Sequence, residues 1–375
     1  MVSFLADDKG TSNVGNVMKA LSHLGLAKDD QIGICLRNSV ESLPENHRRN
    51  IIRLSVIPGS FTLDAARNIL DYRKRDIVSL QFDLQTLKYR GLLESEKDDA
   101  TGSVSYHQPS TKDLRYKMHL LLRSFIVHLA KASDGELATV YKDAERRYVT
   151  YYGKRLRRLT RRLQEDFSDA FVKLQDDQAN YMQFLEMLKS SDLEEYQSPE
   201  ITWWVFLAVE LLYFPKDRLK FYHILAEEAK NRGDMIGFAN NTSQEVIQFL
   251  ELGYDPEILL GKLQEVEDTL SQLRGKNEER KRRMCLATCY CVRGDVLTRY
   301  QRATEAIPWL EQAVEMRRDI LGPNHLLIGR ALNSLGTAVQ TKAVLDPGPS
   351  LLHIQSEKKM AMKYFMEVRS LFPWC

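Results

Sequence analysis

Cys285, Cys289 and Cys291 are the residues of this chain whose type and spacing come nearest to metal chemistry. Thiolates are soft ligands, and Cys285 and Cys289 fall one helical turn apart. Cys291 points off that line, and no histidine lies near in sequence. The paired short half-sites of a zinc centre are therefore missing, and small apolar positions on a buried helix face explain the three cysteines better. A triphosphate-binding loop would read Gly-x-x-x-x-Gly-Lys-Ser/Thr, whose backbone amides cradle phosphate. Gly-Lys occurs at 153, 261 and 275, never with the leading glycine or a following hydroxyl. No Ser-His-Asp, Cys-His or paired-carboxylate arrangement stands out. No catalytic residue and no metal ligand is expected. The strongest local charge is Lys154-Arg155-Leu-Arg157-Arg158-Leu-Thr-Arg161-Arg162, with Leu156, Leu159 and Leu163 on one helix face. Such a run suits acidic lipid, RNA or an acidic helix. It equally suits a solvated helix side balanced by Glu165, Asp166 and Asp169.

Composition narrows the classes. The chain has 375 residues, 43% hydrophobic and 28% charged, in the range of a globular protein of two or three domains. Its 53 basic and 51 acidic side chains leave a net charge of +2, which gives no global attraction to nucleic acid or anionic membrane. Five cysteines, odd in number and unevenly placed, fit a reducing compartment, so the expected location is cytoplasmic. The first ten residues lack a basic flank and a long apolar core, so no secretory signal is read. The longest apolar run, Ile201 to Phe214, contains Glu210 and is too short to span a bilayer.

Chemistry aside, the chain repeats itself. Gly294 and Gly336 are equivalent points forty-two residues apart, with Tyr290 matching Leu332 upstream and Leu297 matching Val339 downstream. Ala306, Leu310 and Ala313 follow Gly294 by 12, 16 and 19 residues. Ala361, Phe365 and Val368 resume the pattern after Gly336, displaced by about thirteen residues. Small, large, small at these offsets resembles the tetratricopeptide pattern, in which two helices approach closely and the large residue fills the gap. Units of that kind stack on their neighbours and leave a concave surface for a partner.

Upstream, periodicity predicts a helix at Val14 to Leu24, within an incomplete piece (1–40) that would finish a preceding helical domain. From 41 to 133 the pattern predicts a helix after Pro44, a short one capped by Thr62, and a third from Ile77 to Arg90 ended by Gly91. Leu92-Leu93-Glu94 and Val104-Ser105-Tyr106 read as short strands, and Thr111 to Ser133 as a long helix. Residues 134–275 read as helical hairpins, with one long helix carrying Tyr141, Tyr148, Tyr151 and Tyr152 and others that include Gln244 to Leu250. Residues 276–375 hold the two repeats, and Ala343 to Ser356 reads as a loop.

The stretch Ser55-Val-Ile-Pro-Gly-Ser-Phe61, then Ala65-Ala66, Leu87 with Gly91-Leu92-Leu93, and Arg115-Tyr-Lys-Met-His119 with Leu121-Leu122-Arg123, resembles a known winged helix. It is the one that follows the nucleotide-binding core (NB-ARC- or NACHT-like) of STAND-class signalling ATPases, among them plant resistance proteins and apoptotic protease-activating factors. Ala144-Glu-Arg-Arg-Tyr148 and Asp177-Gln-Ala-Asn-Tyr181 resemble the helical continuation in that class. The terminal repeats are similar to those of kinesin light chains and nephrocystin-like ATPases. The implied fold is mainly α: a winged-helix domain followed by an α-superhelix of tetratricopeptide-like hairpins. His119 matches the histidine that touches the diphosphate of ADP in the family. Here the signature reads Met118-His119-Leu120 and lacks its acidic residue. With no phosphate loop in the sequence, no cofactor is expected; ADP or ATP enters only if a longer product or a partner supplies a nucleotide-binding domain. Asn333 matches the asparagine that kinesin-light-chain-like repeats present to a ligand backbone, and a solvent-facing helix position explains it as well. Arg330 and Arg293 would flank it.

The implied function is protein–protein interaction, with a peptide or protein on the concave face and a possible homologous nucleotide-binding domain as a second partner. That is the regulatory and sensor part of an innate-immunity or apoptosis-like receptor. A cargo or assembly adaptor is the alternative. Winged-helix DNA binding ranks third, because the helix from Val78 to Arg90 offers only Lys88 and Arg90 to phosphate and includes Asp83.

Overall fold

A computed structural model describes residues 31–72, 76–95, 114–132, 135–163, 166–189, 202–275, 278–323, 325–346 and 351–371. The helix expected at Val14 to Leu24 and the strand expected at Val104 to Tyr106 lie outside the described residues. The protein is mainly helical, with sixteen helices and three short strands among the described residues. It divides into two compact units, Met1–Arg155 with Gln175–Phe184, and Leu156–Leu174 with Leu185–Cys375.

In the first unit the order is α1 (Gln31–Glu41), α2 (Glu45–Leu54), β1 (Phe61–Thr62), α3 (Leu63–Leu70), α4 (Ile77–Tyr89), β2 (Glu94–Ser95), β3 (Arg115–Lys117) and α5 (Leu120–Lys131), then most of α6 (Glu136–Arg162) and of α8 (Gln178–Met187). Thr62 leaves β1 extended and its Oγ1 accepts from the Ala65 amide at 3.3 Å, which starts α3. Leu80, Leu84 and Leu87 share one side of α4 and are fully buried. That face meets α2 and α3, where Ile51, Ile52, Leu54, Ala66 and Ile69 complete the core. β3 pairs antiparallel with β1 on one side (Phe61 opposite Tyr116) and with β2 on the other (Ser95 opposite Tyr116).

The long helix expected from Thr111 is corrected here: 115–117 form the central strand, and helix begins only at Leu120. Tyr116 alternates inward to stack on Phe61 at 6.0 Å, while its backbone is held from both sides. Burial of that ring outweighs whatever helical preference the polar flanks carry.

The loop Ser55 to Phe61 is held by the Asp177-x-x-Asn180 turn of α8. Asn180 Oδ1 accepts from the Gly59 amide at 3.0 Å, and its Nδ2 donates to the Ser60 carbonyl at 2.8 Å. Arg115 donates to Ser60 Oγ at 2.8 Å and to the buried Asp177 carboxylate at 2.6 Å, which also takes Arg155 at 3.0 Å. Arg123, itself buried, donates to the Ser55 carbonyl at 2.9 Å.

The second unit holds most of α7 (Phe167–Asp176), then α9 (Thr202–Leu212), α10 (Pro215–Asn231), α11 (Met235–Glu251), α12 (Pro256–Gln272), α13 (Glu279–Arg299), α14 (Ala303–Leu321), α15 (Leu326–Leu345) and α16 (Leu351–Leu371). Short links such as 232–234, 252–255 and 300–302 fold neighbours back on one another as hairpins. Across hairpins α11 packs on α13 and α13 on α15, so these three line one side of the stack. α11 also touches α10 and α12, which surrounds it. Its polar centre, Asn240-Asn-Thr-Ser-Gln-Glu245, is buried throughout, and the helix is far longer than the Gln244 to Leu250 segment expected. The loop expected at 343–356 is also shorter, because α15 runs to Leu345 and α16 starts at Leu351.

Candidate ligand-binding face

On α15 one apolar stripe (Ile328, Ala331, Leu332, Leu335, Ala338, Val339) enters the core shared with α14 and α16. The residues left over, Arg330, Asn333, Ser334 and Thr337, fall at helical spacing on the adjoining side. Asn333 is exposed, and its carbonyl accepts from the Thr337 hydroxyl at 2.9 Å. Arg330 lays its guanidinium over the Phe206 ring of α9 at 4.7 Å. It also faces Asp295 of α13, whose carboxylate accepts from Ser334. Burial pushes the Asp295 carboxyl above the usual range, and Arg330, Ser334 and Arg317 oppose that rise. Arg317 of α14 is fully buried and donates to the Leu327 carbonyl at 2.6 Å; loss of water lowers its affinity for the proton.

α9 and α11 extend this polar strip. Glu210 accepts from Gln248 Nε2 at 3.1 Å and pairs with Arg218, which also reaches Glu251 at 3.4 Å. Burial raises the Glu210 carboxyl, against the pull of Arg218. Glu245, buried on α11, takes His223 Nδ1 at 2.8 Å and Lys262 at 3.2 Å. Fixed donors and acceptors around a partly apolar floor can hold a polypeptide ligand.

Arg293, expected to flank Asn333, is engaged elsewhere. It pairs with Glu267 of α12 at 3.0 Å, bonds Gln264 at 3.2 Å, and stacks on Trp309 of α14 at 4.5 Å. The structure joins Arg330 and Asn333 on one stripe of α15 and gives Arg293 to the α12–α14 side. A helix places residues two apart about 200° round its axis, so the Asp295 and Arg293 faces of α13 diverge. Sequence reasoning missed Phe206, Glu210, Gln248 and Asp295. The lone carboxylate in the apolar 201–214 run was the signal for Glu210.

In the first unit His119 is exposed and serves as the N-cap of α5, with Nδ1 accepting from the Leu121 amide at 3.3 Å. His325 repeats this geometry on α15, accepting from Leu327 at 3.2 Å. The cysteines fill helix interfaces. Cys285 and Cys289 donate weakly to the Ile236 and Leu263 carbonyls, and burial pushes all three thiols up, Cys289 to about 12. Among the described residues no group of three histidines, cysteines or carboxylates is placed to hold a metal. Among the described residues no helix is long and apolar enough to cross a membrane. Of the basic run, Arg155 is spent on Asp177 and Tyr181, Arg162 on Asp169, and Lys154, Arg157, Arg158 and Arg161 are exposed. No family model, curated protein or solved structure matches the chain.

Proposed function

We propose that this chain is a protein–protein interaction scaffold, the regulatory and sensor part of a STAND-type signalling protein that carries no phosphate-binding loop in this sequence. Its first unit would be the winged helix of that class and its second a tetratricopeptide-like stack working in the cytoplasm. The observation that carries the reading is the α15 stripe: exposed Asn333 beside Arg330 and Ser334, on the side of the stack lined by α11, α13 and α15. An amide offers both donor and acceptor, which suits the backbone of a bound polypeptide. Support for the repeat assignment comes from the close approaches at Gly294 and Gly336, where Leu310 and Phe365 occupy the space a side chain would need. Support for the winged helix comes from the three-strand order β1-β3-β2 beside α2 to α4. α4 exposes Val78, Phe82 and Tyr89, with cations only at Lys88 and Arg90 near its end, too few for groove binding, so DNA readout is not part of the proposal.

A cargo or assembly adaptor would use the same stripe. One observation favours it: His119 Nδ1 is occupied as a helix cap, so the residue has a structural task without any nucleotide. A photo-cross-linking residue placed at 333 in cells, with the same residue at exposed position 261 as control, tests the interaction reading. A discrete protein adduct from 333, lost in Arg330→Glu and absent from 261, is expected. Equal labelling from both positions, or none from either, contradicts it.

A further inference from the structure

The side of the stack lined by α11, α13 and α15 already has an occupant. α9 carries Thr202-Trp-Trp-Val-Phe-Leu-Ala-Val-Glu-Leu-Leu212, apolar around most of its circumference with one carboxylate. Val205, Ala208, Val209 and Leu212 are buried along one stripe. Phe206 and Glu210, one turn apart on the next stripe, reach the polar strip. The Phe206 ring packs on the cluster built from Ile236, Leu259, Val292 and Val296 of α11 to α13, and Arg330 of α15 closes over it at 4.7 Å. Glu210 meets Gln248 at 3.1 Å. One helix therefore reaches both the α11–α13 cluster and α15 through an aromatic residue and a carboxylate four residues later.

The fit is incomplete. Beside Glu210, the buried Gln248 Oε1 and the fully buried Tyr222 hydroxyl have no hydrogen-bond partner among the described residues. Buried polar atoms left unpaired weaken whatever arrangement leaves them so. An incoming helix whose carboxylate also accepted from the Tyr222 hydroxyl would hold the face more tightly than α9 does.

We infer that α9 is an exchangeable resident of this face, and that the partner presents an apolar helix with an aromatic residue followed four residues later by a carboxylate. This rests on reading the face as a protein-binding surface. The aromatic residue slides under Arg330, the carboxylate takes Gln248 and Arg218, and α9 swings aside. Arg330 then discriminates twice, by stacking on the aromatic ring and by favouring the carboxylate near it.

The test uses the full chain and a synthetic peptide carrying residues 202–212 between solubilising lysines. Phe206→Ala/Glu210→Gln loosens α9 and should raise affinity for the added peptide at least tenfold over wild type. Arg330→Glu should abolish binding in both backgrounds. Equal affinity in all variants, or no binding by the loosened chain, overturns the inference. Should the double variant misfold, hydrogen exchange on wild type decides: saturating peptide should speed exchange at the α9 amides while those of α11 stay protected. α9 amides unmoved by peptide overturn it. A protein adduct from position 333 with no peptide binding would sink the exchange alone. Peptide binding with no adduct would contradict the part given to Asn333 in the scaffold reading, while the face itself, and the exchange on it, would still bind a helix.

Discussion

An ideal Cβ added at Gly294 would lie 2.3 Å from Leu310 Cγ and 2.6 and 2.9 Å from its methyl carbons. Leu310 is fully buried in the α13–α15 core, so it cannot swing out. Overpacking of this kind costs roughly 1–3 kcal/mol, and a branch carbon inside van der Waals contact puts Gly294→Ala near the upper end. Alanine in place of a mid-helix glycine returns about 1 kcal/mol of helix propensity, leaving a net loss of about 1–2 kcal/mol. At Gly336 the obstacle is the far edge of the Phe365 ring, 2.7 Å away, on a half-buried side chain with somewhere to go. Gly336→Ala should lose less, about 0–1 kcal/mol. Gly261, inside α12, has nothing within 4 Å of the added atom. Gly261→Ala should therefore gain about 0.5–1 kcal/mol. Urea unfolding followed by circular dichroism gives the three midpoints. The order Gly294→Ala below Gly336→Ala below Gly261→Ala is the result the repeat geometry requires. A Gly294→Ala chain as stable as Gly261→Ala would refute the close approach of α13 and α14.

Three other outcomes follow from the same structure. Asp177→Ala strands Arg115 and Arg155 around a buried vacancy and should cost about 3–5 kcal/mol, read as loss of near-ultraviolet dichroism at lower urea; a cost under about 1 kcal/mol contradicts the buried pairing. Cys285, Cys289 and Cys291 should resist alkylation in the native chain while exposed Cys35 reacts quickly, because raised thiol pKa and burial both suppress the thiolate; equal rates for all four at neutral pH would count against the packing. Glu210 has a folded pKa above its usual 4.5, so its charged form is disfavoured by folding, and its contribution improves as pH falls from above the folded value to below the unfolded one. The thermal-stability difference, Glu210→Gln minus wild type, should thus be more positive at pH 7 than at pH 4, and a difference growing toward acid would reverse the assignment.

Much of this was legible because periodicity reports which side of a helix is dry. Leu80, Leu84 and Leu87 gave one helix of the first unit, and the Gly294–Leu310 offset gave the hairpin in the second. Thr62 and Pro44 marked helix starts through local backbone chemistry that needs no tertiary partner. The central strand at 115–117 was hidden because its pairing partners, at 61–62 and 94–95, are remote in sequence. The first half of α11 was hidden for the opposite reason. Asn240-Asn-Thr-Ser243 has weak helix preference and no apolar stripe, and only enclosure by α10, α12 and α13 makes it helical. Of the site, Arg330 and Asn333 fell together because they share a helix. Arg293 was misplaced because its orientation depends on Glu267 and Trp309, which no spacing rule relates to it. The part Phe206 plays needed α9 folded against α15, a contact across 124 residues of chain.

The central claim is that the Arg330–Asn333 stripe is the gripping face. It is tested most directly by calorimetric titration of the purified chain with the protein cross-linked at 333, comparing wild type, Arg330→Glu and Arg283→Glu, the last changing a partly exposed cation that pairs with Asp319 on α14. The account predicts at least tenfold weaker binding for Arg330→Glu and unchanged affinity for Arg283→Glu. Unchanged affinity in Arg330→Glu, or equal loss in both variants, would contradict it.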